Sequence, residues 1–79
     1  MNSQQVELFH YTGDYITLGQ FLKASNIVAS GGEAKSLLSS GAVLVNGVCE
    51  QRRGLKLRQG DLVRLGTAYW KLVPVGLRV

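Results

Sequence analysis

Basic side chains cluster in one short stretch of the sequence. The cluster consists of Arg52, Arg53, Lys56 and Arg58, and no acidic residue lies between Glu50 and Asp61 to neutralise it. A planar guanidinium group matches the oxygens of a phosphate, and a lysine adds a mobile point charge. The stretch therefore predicts contact with a nucleic-acid backbone. A solvated strand face would show the same composition and is the alternative.

The whole chain has a positive charge balance. Its 79 residues contain nine Lys and Arg against five Asp and Glu, a formal net charge of +4, which favours polyanionic partners. The hydrophobic fraction of 46% and the charged fraction of 18% are typical of a globular domain. A chain of this length has room for a single domain, residues 1–79, and is too small for a large enclosed active-site cavity. We therefore expect a binding protein and not an enzyme.

Metal and thiol chemistry lacks the residues that it needs. The sequence contains one histidine, His10, and one cysteine, Cys49, so a zinc site would lack ligands and no internal disulfide can form. The first five residues carry neither a basic start nor an apolar run, and no stretch approaches the ~18 apolar residues of a membrane span. We expect a cytoplasmic protein without cofactor, metal or membrane, and we expect a monomer.

The remaining candidates for chemistry are aromatic and acidic. Tyr69 and Trp70 have rings on which a base could stack, but large aromatic residues dominate burial in small domains, so we expect Trp70 in the core. Asp14 and Asp61 lie in predicted turns, where carboxylates commonly accept hydrogen bonds from nearby backbone. Neither has a visible acid or base partner in the sequence.

Two capping signals place helices before the basic cluster. Thr17-Leu18-Gly19-Gln20 has the form of a capping box and predicts a helix that begins at Leu18 and ends near Asn26. Ser30-Gly31-Gly32-Glu33 repeats the pattern, with the Glu33 carboxylate expected at the Ser30 N–H, and predicts a second helix that ends at Gly41. The apolar residues of both segments follow helical spacing, which predicts one buried face on each.

The glycines at the start of the second helix are unusual because glycine destabilises helix interiors. They indicate either a tight turn between the helices or a position where a phosphate approaches the backbone closely. For the second possibility we assign Gly32 as the residue that leaves room. Lys23 on the first helix and Lys35 on the second lie off the apolar faces.

Strand patterns fill the rest of the chain. Asn46-Gly47 between two apolar runs is a strong signal for a type I′ hairpin. The expected strands are residues 6–11, 43–45, 48–50, 55–57, 62–65 and 69–73, with Pro74 at the end of the last strand or at an edge. The predicted fold class is α+β, with two short helices packed on a small antiparallel β-sheet.

Several of these segments, taken together, resemble an S4-like RNA-binding domain with its αL motif. They are Ile16-Thr17-Leu18-Gly19-Gln20-Phe21-Leu22-Lys23, Ser30-Gly31-Gly32-Glu33-Ala34-Lys35, Val43-Leu44-Val45-Asn46-Gly47, Arg52-Arg53-Gly54-Leu55-Lys56-Leu57 and Gly60-Asp61-Leu62-Val63. The resemblance covers about residues 15–65, and it is strongest to small bacterial S4-like proteins of the YbcJ and YaaA type. Order, spacing and identity together are more specific than any single motif.

The resemblance implies a function in RNA binding. In S4-like modules, including those of tyrosyl-tRNA synthetase and pseudouridine synthases, two helices and a hairpin present a basic surface to structured RNA. The positions that this resemblance assigns to the RNA face are Lys23, Lys35, Arg52, Arg53 and Lys56. Many S4 domains open the second helix with Ser-Arg, whereas this chain has Ser30-Gly31. The implied partner is structured RNA, ribosomal or transfer RNA, recognised without catalysis.

Three alternatives come from other classes of protein. A β-grasp sulfur carrier shares the Val-Asn-Gly hairpin, but such carriers end in Gly-Gly and this sequence ends in Gly76-Leu77-Arg78-Val79. An enzyme related to pseudouridine synthases would need a separate catalytic domain. A protein-interaction module with its basic face on an acidic partner remains open on sequence grounds.

Overall fold

A computed structural model describes residues 6–76. Two helices and seven strands are present in this part of the chain. In chain order they are β1 (Val6–Tyr11), β2 (Ile16–Thr17), α1 (Leu18–Ala24), α2 (Gly31–Ser39), β3 (Val43–Val45), β4 (Val48–Cys49), β5 (Lys56–Leu57), β6 (Leu62–Leu65) and β7 (Ala68–Pro74). The predicted α+β class is confirmed.

The main sheet has five strands in the order β1-β7-β6-β3-β4. The pairs β3–β4, β3–β6 and β6–β7 are antiparallel, as predicted. β1 instead runs parallel to β7, so the sheet is mixed and not antiparallel throughout. Parallel neighbours require a long crossover connection, and here almost the whole domain lies between the two strands. Pro74 ends β7, which lies between β1 and β6 and not at an edge.

Side-chain caps explain where α1 begins and ends. The Thr17 hydroxyl accepts a hydrogen bond from the Gln20 N–H at 3.3 Å, and Gln20 Oε1 accepts one from the Thr17 N–H at 3.0 Å. The predicted capping box is therefore present. After Ala24 the chain reaches Asn26, whose φ of +63° is the left-handed conformation that stops a helix.

The second helix is capped in a slightly different way from the prediction. The Ser30 hydroxyl accepts from the Glu33 N–H at 3.2 Å, as expected. The Glu33 carboxylate accepts from the Ala29 N–H at 2.7 Å and not from Ser30. Backbone N–H groups at a helix start lack helical partners, and Ala29 offers one such donor within reach. Gly41, with φ of +81°, follows the helix as predicted.

The core lies between the helices and one face of the main sheet. Phe21 is fully buried, and its ring makes edge-to-face contacts with Phe9 at 5.0 Å and Trp70 at 5.8 Å between centroids. Burial of such a side chain stabilises the fold by ~1.5–3 kcal/mol. Trp70 is half-buried and packs against the core without belonging to its fully buried part, so the prediction of a core position holds only in part. The other fully buried large side chains are Leu18, Leu22, Leu38, Val43, Leu57, Val63 and Leu72.

The hairpin turn is tied to the turn that precedes β6. Asn46 and Gly47 have φ of +52° and +85°, as the predicted type I′ turn requires. Asn46 Oδ1 accepts from the Leu62 N–H at 3.0 Å, and Asn46 Nδ2 donates to Asp61 at 3.1 Å. Asp61 also accepts from the Arg58 N–H at 2.8 Å, which confirms its turn role. These bonds fix the ends of the segment that holds the basic cluster.

The second face of the sheet carries side chains that alternate with those of the core. Val63 and Leu72 are buried, whereas the neighbouring Arg64 and Lys71 are exposed because successive strand residues point to opposite faces.

Within residues 6–76, neither helix has the length and apolar character needed to cross a bilayer.

Candidate nucleic-acid interface

The loop that follows β4 is joined by backbone hydrogen bonds to the first turn of α1. The Gly19 N–H donates to the Arg53 carbonyl at 2.9 Å, and the Leu18 N–H donates to the Leu55 carbonyl at 2.8 Å. Both donors belong to the unpaired N–H groups that every helix start presents. The loop therefore takes a fixed position across the start of the helix, and Arg53 is positioned by its own backbone.

Arg53 extends from the first turn of α1 to the first turn of α2. A Cβ placed on Gly19 would lie 3.4 Å from the Cβ of Arg53, and one placed on Gly31 would lie 3.7 Å from its guanidinium nitrogen Nη1. Glycine at both positions gives the arginine room to lie along the two helices. No carboxylate within the described part of the chain, residues 6–76, forms an ion pair with Arg53. Its charge is thus available to an anion.

An open groove of about 310 Å³ surrounds this arginine. Its lining includes Thr17 and Gly19 from the start of α1, Gly31 from the start of α2, and Lys23 beside Arg53. Lys23 is exposed. Two cations therefore share one concave surface, and this combination suits the phosphates of a polyanion.

Lys35 does not line the groove, to which α2 contributes Gly31 and Ala34. In each helix a glycine of the first turn is followed four positions later by a lysine, Gly19 by Lys23 and Gly31 by Lys35. Residues four apart are neighbours on a helix surface. Lys35 is therefore one turn along α2 from Gly31, as Lys23 is one turn along α1 from Gly19, and a Cβ on either glycine would lie within 3.7 Å of Arg53.

Arg52 differs from the other predicted cations because Glu50 neutralises it. Arg52 Nε donates to one oxygen of Glu50 at 2.9 Å, Nη2 donates to the other at 3.3 Å, and the Arg52 N–H adds a bond of 3.1 Å. The hydrogen bonds from Arg52 lower the pKa of the Glu50 carboxyl, and the same hydrogen bond raises the pKa of the arginine. The expectation that the cluster lacks an acidic partner is wrong at this position.

Lys56 lies in a different environment, with an aromatic ring. Its Nζ is 5.0 Å from the centroid of the Tyr15 ring, and Arg58 Cζ is 5.7 Å from the same centroid. Lys56 and Arg58 lie on one side of the strand because the buried Leu57 between them points to the core. The structure therefore places Lys23 and Arg53 in the lining of the groove and Lys56 beside Tyr15, whereas Lys35 is outside the groove lining.

Sequence reasoning missed Gly19 and Tyr15, and of the two glycines that it singled out at the start of α2 it chose Gly32. Gly19 was part of a capping motif with no further role, although a glycine in the first turn of a helix is itself a signal. Gly31, rather than Gly32, borders the groove, because a Cβ on Gly32 would meet only the Ser30 hydroxyl, at 3.9 Å. Tyr15 carried no prediction.

Within residues 6–76 the structure brings together no group of three or more His, Cys, Asp or Glu side chains that could hold a metal ion. Cys49 is exposed, and its thiol donates to the Gly41 carbonyl at 3.4 Å. The groove itself is lined by two cations, Lys23 and Arg53, and by glycines, which are features of a binding surface for anions.

Comparison with known proteins identifies the family of the chain. Residues 9–73 match the family model described as S4 domain. The chain is also 52% identical over 52 residues to the "Probable ribosome maturation protein RlbA" of Bacillus subtilis (strain 168), an alignment that covers 66% of this chain and 73% of that protein. The family match includes both helices, the groove and the basic cluster. The chain belongs to the S4 domain family.

Proposed function

We propose that this protein binds structured RNA, without catalysis, through the groove between the starts of α1 and α2. The observation that carries the proposal is the guanidinium of Arg53, which has no ion-pair partner within residues 6–76 and lies against the first turns of both helices in an open groove that Lys23 also lines. A planar guanidinium can donate two parallel hydrogen bonds to one phosphate, so Arg53 suits this partner.

Ribosomal RNA is the partner that we propose. A similar protein from Bacillus subtilis is named as a probable ribosome maturation protein, which supports a ribosomal RNA over a transfer RNA. Helical RNA is recognised chiefly through its shape and its phosphates. A groove built from cations and backbone fits this mode, and such a protein would act in the cytoplasm as a single domain.

The proposed RNA face consists of the predicted cations with unequal roles. Arg53 and Lys23 form its centre, and Lys35 and Lys56 extend it to either side. Arg52 contributes least, because a phosphate must compete with Glu50 for it. We therefore expect all five predicted cations to contribute to RNA binding, by amounts that depend on their partners in the structure.

A salt titration of RNA binding tests the proposal. We expect the logarithm of the affinity for purified ribosomal RNA to fall linearly with the logarithm of the salt concentration. The double variant Lys23→Gln, Arg53→Gln should bind about tenfold or more weakly, with a slope reduced by up to about 2. Fluorescence anisotropy of labelled protein provides the measurement.

The chain offers a matched control for this variant. Arg64→Gln with Lys71→Gln removes one arginine and one lysine, both exposed, from the opposite face of the sheet. We expect this variant to keep the wild-type affinity within about twofold, since long-range charge effects are screened beyond about 10 Å in salt. Equal losses in the two double variants would mean that net charge alone drives binding, and the groove would lose its assigned role.

A further inference from the structure

A second groove lies on the other side of α1 and is lined by aromatic rings. Its volume is about 470 Å³, and Phe9, Tyr11 and Tyr15 contribute to its lining. Pockets that accept small organic groups span about 300–1,000 Å³. The groove therefore has room for a nucleoside.

Tyr15 is the exposed ring of this groove. It is 40% exposed, whereas Tyr11 is buried in the core. Two cations, Lys56 and Arg58, lie within 5.7 Å of the Tyr15 ring centroid. A cation beside an aromatic ring is the combination that single-stranded nucleic-acid binders use, because the ring stacks on a base while the cation contacts the adjoining phosphate.

The two grooves adjoin at one residue. Gln20 lines both the aromatic groove and the groove of Arg53. The antiparallel pairing of β2 with β5 connects the two sites. Thr17 of β2 borders the Arg53 groove, and its pairing partner in β5 is Lys56. An RNA strand that leaves the Arg53 groove past Gln20 would reach Tyr15 directly.

We propose that Tyr15 is a stacking platform for an unpaired nucleotide of the bound RNA, with Lys56 and Arg58 as contacts to its phosphates. This inference rests on the proposed RNA binding and specifies the class of RNA, a helical element that continues into an unpaired strand. In the free protein the two cations cover the ring. Both are exposed, long side chains, so they can turn to the phosphates when a base takes their place without disturbing the core.

Two RNA probes test the platform: a short blunt duplex, and the same duplex with a single-stranded uridine tail that contains one 2-aminopurine. The wild type should bind the tailed probe about tenfold more tightly than the blunt one, since base stacking on an aromatic ring has an effect of this order. The 2-aminopurine fluorescence should change on binding. Tyr15→Leu should remove both the preference and the fluorescence change, whereas Tyr15→Phe should retain them.

A matched pair of variants tests the cations. Arg58→Gln and Arg64→Gln each remove an exposed arginine that lies over a tyrosine ring. The ring beside Arg64 is that of Tyr69 on the main sheet, at 5.4 Å, away from the β2–β5 pair. Only Arg58→Gln should reduce the preference for the tailed probe. If Tyr15→Leu does not fold, this pair decides the same question.

The outcomes separate the two proposals. Equal wild-type affinity for both probes, or an unchanged preference in folded Tyr15→Leu, would overturn the stacking platform and leave duplex binding in place. Loss of affinity for both probes to the same extent in Tyr15→Leu would also overturn it. A wild type that binds neither probe would overturn the proposed function itself.

Discussion

Arg52 and Arg53 are adjacent in the sequence, and the structure gives them opposite electrostatic surroundings. Arg52 is held by both oxygens of Glu50, and its side chain is 72% exposed. Arg53 has no acidic partner in the described chain and lies against Gly19 and Gly31 at the helix starts. A count of charges in the sequence would treat Arg52 and Arg53 as equivalent.

This difference in ion pairing means that two adjacent arginines need not contribute equally to binding an anion. Exposed ion pairs contribute little to stability. A cation already paired with a carboxylate must lose that partner before it binds a phosphate, so its net gain is small. Arg53 has no ion pair within residues 6–76 that it must lose before it binds a phosphate. The comparison predicts unequal effects of substitutions along this loop.

The largest effect on binding should come from Arg53→Gln. Hydrogen bonds to charged groups contribute ~1.5–3 kcal/mol, which corresponds to a ten- to hundredfold loss of affinity for ribosomal RNA. Thermal denaturation should show a nearly unchanged midpoint, because the backbone bond to Gly19 does not need the guanidinium group. Affinity within a factor of about two of the wild type would remove Arg53 from the centre of the interface.

Gly31→Leu should have the next largest effect. A side chain at this position would displace the guanidinium that now lies 3.7 Å from the site of its Cβ, and we expect RNA affinity to fall about tenfold. Gly32→Leu, one position along the same helix turn, is the matched control because a Cβ there meets only a hydroxyl at 3.9 Å. Both changes should favour the helix itself. Equal affinities of the two variants would contradict the placement of Arg53.

Glu50→Gln should strengthen RNA binding, by about two- to fivefold, because it removes a competing anion and releases Arg52 for a phosphate. The salt dependence should become steeper by up to about 1 unit of slope. A weaker affinity in this variant would mean that the ion pair holds Arg52 in its binding position.

We also expect the effect of Glu50→Gln on stability to depend on pH. The Glu50 pKa in the folded protein lies below its ordinary value of 4.5, so the ion pair stabilises the fold above pH 4.5 and this contribution is lost as the pH falls through the folded-state pKa. The difference in unfolding midpoint between wild type and Glu50→Gln should therefore shrink in acid. A difference that stays constant through this range would contradict the lowered pKa.

Arg52→Gln should have the smallest effect. Its charge is already balanced by Glu50, so RNA affinity should change by less than about twofold. In the Glu50→Gln background the same substitution should reverse the gain of affinity, which makes the two changes a double-mutant cycle. Additive effects in this cycle would show that the two side chains act independently in solution.

Local signals predicted most of the fold. The capping motifs at Thr17 and Ser30 and the turn at Asn46 each depend on a few consecutive residues. The structure confirms the capping box at Thr17, the Ser30 cap and the turn, whereas the Glu33 carboxylate bonds to Ala29 and not to Ser30 as predicted. The parallel pairing of β1 with β7 was not predictable in this way, because it joins the two ends of the described chain. No periodicity within a strand specifies a distant partner.

Local signals predicted less of the candidate site. Lys23 and Arg53 were identified, and the structure brings them into one groove. The neutralisation of Arg52 was missed although residues two apart in an extended segment lie on one side, so Glu50 was a readable signal. Tyr15 meets Lys56 only through the pairing of β2 with β5, which the sequence pattern does not reveal.

The backbone bonds from α1 to the loop after β4 also have a consequence for the order of folding. A helix of seven residues is unstable in isolation, and the N–H groups of Leu18 and Gly19 obtain their partners from Leu55 and Arg53. During synthesis the first helix must therefore wait until the second half of the chain has left the ribosome. Contacts so distant in sequence slow folding. A peptide of residues 15–45 should accordingly show little helix by circular dichroism, and the groove lined by Arg53 should form only in the final, cooperative step.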